Sequence, residues 1–597
     1  MKIKFLVILL IFTIAAVCAD PVLKVNSDKE NIKISADFGK YKLNTFNKKY
    51  HSIKIPQLLN FKSPGKPSLP FYTLRFLLPP DQDIKDVFIT GQKKIIKGNY
   101  RIKPSNVSIP WFVKDKKGKL AVEDKTYSKS KFFPGNLSSK WLITKLAGYR
   151  ILSFNLYPVQ FNPVSQKLHY YKKLDINLKL TQARKSSKIQ AGFEKQVSTL
   201  VCNPDCIKKY EKKHKATFRN NIPYVIITSE SLLDLNVDYN FEYFADFLTS
   251  NGVETCIMTV EKIYENYPGE DKAERVRNFI KYAFENWNTR YVLLGGDGDK
   301  NSEIVPVRRF TINLHYVYMD GSSINVNEKM ASDLYFAHLD GNFDGNNNGI
   351  YGETDDNIDL EPEVAIGRAP VDNAEQVNNF IRKTILAYHH AQNVEEPKVL
   401  MIGEHLFSPG QCGVNHHIYG KFFMDELYLG ANTHGFPTYG FNSKWLLETL
   451  YAKDGYWGSS AVKNKLNNSG ACWINHIGHS SPGYNMKLYK THISSLSNEI
   501  PFFYYTQGCN AGRFTNESTA PLGNRDSKQE ERYSDCFSEY LLIKENGAFA
   551  VISNWSYGLS PEDPETSQGN TPGASQYFHR WLVDAFFNPS VNLSRIG

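Results

Sequence analysis

At 597 residues the chain is expected to hold several domains. Its formal charge of +10 hides a division: residues 1–220 hold 43 Lys and Arg against 14 Asp and Glu, a balance of +29, and the remainder carries −19. A basic first third ahead of an acidic two-thirds reads as two parts that are each other's partners rather than as a nucleic-acid binder, because a secreted chain rarely meets DNA.

Lys2 and Lys4 precede an apolar stretch from Phe5 to Val17, with modest side chains at Val17-Cys18-Ala19 before Asp20. This is the pattern of a secretory signal peptide over residues 1–19, not of a membrane span. No later run is long and apolar enough to cross a bilayer, so a secreted, extracellular chain without a transmembrane segment is expected. Removing the leader leaves seven cysteines, an odd number, so at least one thiol stays free. Cys202 and Cys206 are close enough in sequence to close a local disulfide, and no second such pair exists to complete a zinc site.

Residues 20–200 alternate in short runs such as Leu74-Arg75-Phe76-Leu77-Leu78 and Leu174-Asp175-Ile176-Asn177-Leu178, punctuated by Pro and Gly, and are read as a β-rich domain. The basic, apolar-poor stretch from Lys208 to Arg219 marks residues 201–222 as a linker or exposed helix open to proteolytic processing. After Pro223 the period changes. Tyr224–Ile227, Glu254–Met258 and Tyr291–Leu294 read as strands, with helices over Asn240–Thr249 and Ala273–Trp287 between them. The order repeats with a strand at Val399–Ile402 and helices over His417–Tyr428 and Ser459–Leu466. Strands alternating with helices predict parallel sheets with right-handed crossovers, in two α/β halves at 223–395 and 396–597.

In the first half, the segment from Asp340 to Glu353 places oxygen side chains at alternate positions with glycine at the bend, as a hard cation such as calcium requires. Asp340, Asn342, Asp344, Asn346 and Glu353 are the expected ligands of a structural calcium. The match to an EF-hand loop is partial, because the twelfth position is Tyr351.

In the second half, two apolar runs lead into His479 and Cys509: Ala471-Cys472-Trp473-Ile474-Asn475-His476-Ile477-Gly478-His479 and Pro501-Phe502-Phe503-Tyr504-Tyr505-Thr506-Gln507-Gly508-Cys509. Each reads as a buried parallel strand whose carboxyl end opens into the crevice where such sheets bind ligands. A thiol near its free pKa of about 8.5 is a poor nucleophile, and a nearby imidazole raises its thiolate fraction and later shuttles a proton. Gly478 and Gly508 allow a substrate backbone to come close, and the backbone N–H groups of Ser480 and Cys509 are expected to stabilise an oxyanion. His476 is a rival, as half of a zinc pair with His479. No glutamate follows it directly and no third ligand is evident, so catalysis is expected to need no cofactor.

Taken in order, Tyr291-Val292-Leu293-Leu294-Gly295-Gly296-Asp297, Ser332-Asp333-Leu334-Tyr335, Val364-Ala365-Ile366-Gly367-Arg368, Asn475-His476-Ile477-Gly478-His479, Gly508-Cys509-Asn510-Ala511-Gly512 and Cys536-Phe537-Ser538-Glu539-Tyr540 resemble the gingipain family of secreted cysteine peptidases. The resemblance implies an α/β, caspase-like domain of two subdomains with mainly parallel sheets. It implies His479 as general base, Cys509 as nucleophile and Glu404, in Ile402-Gly403-Glu404-His405, as the carboxylate orienting His479. Ser480 stands where the family usually has glycine. Asn415 falls near the position where arginine-cleaving members carry an acidic residue at the base of the specificity pocket. Gly65–Pro70 followed by Phe76–Pro80 resembles the family's prosegment and implies an inhibitory propeptide that assists folding. The expected activity is hydrolysis of protein or peptide substrates through a Cys509 thioester by an enzyme made as a zymogen. A transpeptidase on the same dyad and an inactive binding protein of the same fold are the alternatives.

Overall fold

The computed structural model describes residues 21–588 apart from 28–30, 46–48, 61–62, 106–122, 184–188, 212–219, 300–301, 318–322, 354–355, 357, 359, 410–415, 434–435, 442–443, 516–534 and 560–573. The expected leader, Asn415 and the basic stretch 212–219 lie outside the described residues.

The prosegment is built on antiparallel sheets. Asn31–Asp37 pairs with Val22–Ser27 on one side and Lys173–Gln182 on the other, and the latter pairs with Gln82–Thr90. Period-two alternation puts Ile32, Ile34 and Ala36 and, opposite them, Leu174, Ile176 and Leu178 into one core. A second sheet runs in the order Leu59–Asn60, Pro70–Leu77, Tyr149–Leu156, Leu142–Leu146.

The stretch read as a linker or exposed helix begins as a helix, and what differs is that one face of it is buried. Glu194–Leu200 and Ile207–Glu211 are helical, and Val201, Cys206, Ile207 and Tyr210 are buried. Their basic neighbours hid an apolar stripe that packs inward. Cys202 and Cys206 are separate thiols, not a disulfide. Cys202 packs against the prosegment core, whereas Cys206 faces the cluster shared with the following domain, so the two side chains point into different apolar regions. Burial pushes each thiol up to about 11.

The first α/β half uses β1 (Tyr224–Thr228), α1 (Phe241–Ser250), β2 (Thr255–Thr259), α2 (Lys272–Trp287), β3 (Tyr291–Gly295), β4 (Ala365–Ala369) and α3 (Ala374–Asn393). Its sheet is parallel in the order β2-β1-β3-β4. Asn240, Asp271 and Asn373 cap α1, α2 and α3, each accepting a first-turn backbone N–H. The prosegment packs on this half at the end where β3 and β4 begin. Tyr149, Phe193, Val197 and Tyr210 share one buried cluster with Val276, Phe279, Phe284 and Val292. At its margin Gln190 Nε2 donates to Phe284 O (2.6 Å), Ala147 N–H donates to Glu363 Oε1 (3.2 Å), and Arg75 pairs with Glu361 (3.0 Å). The oppositely charged parts thus meet through an apolar core edged by a few polar bonds.

The second half comprises β5 (Lys398–Gly403), α4 (Lys421–Leu429), β6 (Leu446–Tyr451), α5 (Ser459–Asn468), β7 (Trp473–Ile477), β8 (Phe502–Thr506), α6 (Phe537–Ile543), β9 (Ala548–Ile552) and α7 (Ala574–Phe587). All five strands are parallel in the order β6-β5-β7-β8-β9. β6 is absent from the sequence expectation because it is an edge strand whose leucines, Leu446 and Leu447, are more than a third exposed. The strand order reverses between β5 and β7, and such a switch point leaves a crevice at the carboxyl ends of the strands. The two halves are joined through α3 and α6: buried Lys383 Nζ donates to Leu541 O (2.7 Å) and Asn379 Nδ2 to Ile543 O (3.2 Å). No helix among the described residues is long and apolar enough to cross a membrane.

Candidate active site

β7 and β8 are buried along their whole length and pair in register, His476 opposite Thr506. His479 and Cys509 each lie three residues beyond that pair, so the two loops leave neighbouring strands side by side. Glu404 follows β5 directly, across the switch point. It is 4% exposed, its main chain bonds to Ile477 O and Gly420 N–H, and its carboxylate turns toward β7.

That carboxylate joins two groups. Oε1 meets His476 Nε2 at 3.2 Å, and Oε2 accepts the backbone N–H of His479 at 3.3 Å. Glu404 therefore holds His479 through its main chain, and the ring it meets is that of His476. Gly478 makes this approach feasible: a Cβ there would lie 2.4 Å from Glu404 Cδ and 2.6 Å from His476 Nε2. The rival histidine is also accounted for. His476 is fully buried and its other ring nitrogen, Nδ1, meets Thr506 Oγ1 at 2.8 Å, so both nitrogens are engaged and neither is left for a metal.

Thr506 is a hub that sequence reasoning missed. Its Oγ1 also accepts from Gly508 N–H (3.0 Å) and Asn485 Nδ2 (3.3 Å), tying the turn before Cys509 to the histidine strand. The signal lay in the register, since Thr506 and His476 occupy matched positions three residues before Cys509 and His479. Ser480 adds a second tie: its Oγ donates to the Cys509 carbonyl. A Cβ on Gly508 would sit 2.6 Å from that Oγ, so glycine is needed for the contact. The oxyanion candidates, the N–H groups of Ser480 and Cys509, thus belong to loops bonded to each other.

Cys509 is fully buried. Its Sγ lies 3.7 Å from Gly558 O, and Asn510 N–H, in a left-handed conformation (φ 56°), donates to Ser556 O at 2.6 Å. The Ser556–Gly558 segment thus packs over the thiol. The first turn of α6 steadies both loops, with Phe537 N–H donating to Pro482 O (2.6 Å) and Ser538 N–H to Ala511 O (3.1 Å). On the open side His405 Nε2 lies 2.9 Å from His417 Nδ1. Burial first, then the charges of His417 and His479, hold His405 below the usual histidine range.

The expected calcium residues divide. Asp344 accepts from Asn348 and Gly349 N–H (2.9 Å each), Asn346 Oδ1 from Asn348 N–H (3.0 Å), and Glu353 Oε2 from Asn348 Nδ2 (2.7 Å). Asn342 Oδ1 caps Asp344 N–H at 2.9 Å. Asp340 stands apart, 3.8 Å from His338 Nε2. Asn348, at the next alternate position after Asn346, joins the same turn through these bonds.

The parallel sheets and strand-end site define a caspase-like α/β domain behind a β-rich prosegment. Residues 218–597 match the model of peptidase family C25, and residues 23–218 match that of the C25 propeptide, so the chain belongs to peptidase family C25. It is similar to gingipain R1 of Porphyromonas gingivalis, at 26% identity over 251 residues, which are 40% of this chain and 23% of that protein. Gingipain R2 of the same organism is 24% identical over 251 residues, 40% of this chain and 32% of its own length. The match therefore spans about a quarter to a third of these curated relatives. Among solved structures, a complex of the pro- and mature domains of RgpB from P. gingivalis is 18% identical, covers 31% of this chain and 98% of that one, and has a TM-score of 0.26. A structure described as a protease is 16% identical, covers 62% and 69%, and has a TM-score of 0.39.

Proposed function

We propose that this chain is a secreted cysteine endopeptidase made as a zymogen, with Cys509 as nucleophile and His479 as general base. The observation that carries this reading is the pair of loop ties, Ser480 Oγ to Cys509 O and His479 N–H to Glu404, at matched ends of adjacent strands. His479 takes the thiol proton as sulfur attacks the peptide carbonyl carbon. The N–H groups of Ser480 and Cys509 hold the oxyanion, a contribution of about 3 kcal/mol per donor in other hydrolases. The amine leaves with the proton from His479, and a water deprotonated by His479 then releases the acid from the thioester. Glu404 is a positioning residue that fixes the histidine loop through its main chain.

Latency in this reading has a local element, since Ser556–Gly558 covers the thiol while the described prosegment contacts lie where β3 and β4 begin. The turn at 342–353 is assigned a structural calcium. The test is incubation of the processed protein with a peptide library, alongside Cys509→Ala. Cleavage that requires Cys509 supports the mechanism, and cleavage that survives the substitution refutes it.

A further inference from the structure

The open side of the dyad carries basic groups that the mechanism does not use. Just past Glu404, His405–Phe407 pairs antiparallel with Ile418–Tyr419, which His417 immediately precedes. The two imidazoles meet at His405 Nε2 and His417 Nδ1, 2.9 Å apart, and both rings contact that of Tyr419 at centroid distances of 5.1 and 6.0 Å. His405, held below the usual histidine range by burial first, is the neutral, accepting partner. The shared proton therefore sits on His417 Nδ1, which leaves Nε2 of exposed His417 to take a further proton and a ligand.

A strained turn adds an ammonium. Tyr484–Asn485 pairs with Leu488–Tyr489 in a hairpin whose loop, Met486-Lys487, has both residues left-handed, at φ 51° and 59°. A loop of this kind ordinarily takes Asn-Gly, and larger side chains in it cost free energy that the surroundings must offset. Fully buried Asn485 and Met486 anchor it, with Asn485 Nδ2 donating to the Thr506 hub at 3.3 Å. Half-buried Lys487 donates through Nζ to Trp457 O at 2.9 Å and lies 3.9 Å from the centre of the Trp457 ring, and the ammonium carries further donors. Burial, opposed by Glu404, holds Lys487 below the usual lysine range, and both Glu404 oxygens are already bonded at His476 and His479. The charges that act most on His405 are cationic throughout: His417, His479 and Lys487.

We propose that His417, supported by His405, and Lys487 form an anion-binding subsite beside the dyad that selects peptides with an aspartate or glutamate next to the cleaved bond. This rests on the peptidase reading above and names the substrate class. A carboxylate seated there accepts from Lys487 Nζ and from His417 Nε2, whose second proton it favours, and it offsets the burial of the ammonium. The strain at Met486-Lys487 is then the means of presenting a cation where Asn-Gly would leave none.

The test is kcat/KM of the processed protein on peptide pairs that differ only as Glu against Gln, or Asp against Asn, on either side of the cleaved bond. Charge is what separates the members of a pair, so the acid should be preferred about tenfold or more on one side. His417→Ala and Lys487→Gly should each bring that ratio toward one, and Lys487→Glu should take it below one. His417 is exposed and glycine takes a left-handed turn without strain, so both variants should fold. Cleavage that requires Cys509 but shows no preference for the acid overturns the subsite alone, as does a preference that neither His417→Ala nor Lys487→Gly reduces. Failure to cleave any peptide, or cleavage that survives Cys509→Ala, overturns the peptidase reading and the subsite with it.

Discussion

Replacing Gly478 by alanine tests whether Glu404 holds the histidine loop. The added methyl would lie 2.4 Å from Glu404 Cδ, 2.5 Å from its Cγ and 2.6 Å from His476 Nε2, closer than any real contact, and Glu404 and His476 are 4% and 0% exposed. Neither side chain has a free path outward, so the carboxylate must leave its bonds at 3.2 and 3.3 Å. Overpacking of this kind costs about 1–3 kcal/mol. Two long hydrogen bonds add about 1 kcal/mol each, for a total of roughly 3–5 kcal/mol. Urea unfolding followed by tryptophan fluorescence should show a lowered midpoint, and the peptide-cleavage kcat of the processed protein should fall as the histidine loop shifts. Gly483→Ala is the control, since nothing lies within 4 Å of a Cβ there. The double variant Gly478→Ala/Glu404→Ala should lose less than the sum of the two, because removing the carboxylate opens the space the methyl needs. An unchanged midpoint and kcat in Gly478→Ala, or strict additivity in the double variant, would refute the reasoning.

Thr506→Val strips the shared acceptor from Gly508 N–H and Asn485 and leaves His476 Nδ1 without its partner; a loss of about 1–3 kcal/mol is expected in urea unfolding, largely restored by Thr506→Ser. His579 is fully buried, stacks on Tyr505 at 3.6 Å, and is held well below the usual histidine range by burial first and His476 second. Its folded pKa is depressed, so the unfolded chain binds the extra proton below about pH 6.5. Stability should therefore be independent of His579 above that pH and fall by up to about 1.4 kcal/mol per unit below it, a slope that His579→Gln should flatten in urea midpoints against pH. Raising salt from about 0.1 M to about 1 M should slow association of a separately produced prosegment while leaving dissociation nearly unchanged, because charge steers encounter and the Tyr149–Phe284 cluster holds the complex. Stopped-flow association that is indifferent to salt would remove the electrostatic part of that account.

The sequence by itself determined what is local. Alternation at Asn31–Asp37 and Lys173–Gln182, the capped helices after Asn240 and Asp271, and the apolar runs before His479 and Cys509 need only period and punctuation to be read, and they led to the β-rich prosegment, the two α/β halves and the candidate dyad. Edge strand β6 escaped because half-exposed leucines carry no clear period, and the buried face of the helices within 194–211 escaped because lysines mask an apolar stripe. What only the tertiary structure decided depends on which strand lies beside which. The register of β7 on β8 makes Thr506 the partner of His476, the crossing from β5 puts Glu404 under Gly478, and the packing of α6 ties Phe537 to Pro482 and Ser538 to Ala511. Side chains separated by tens to hundreds of residues meet there through parallel pairing and burial, and spacing along the chain carries no trace of such contacts.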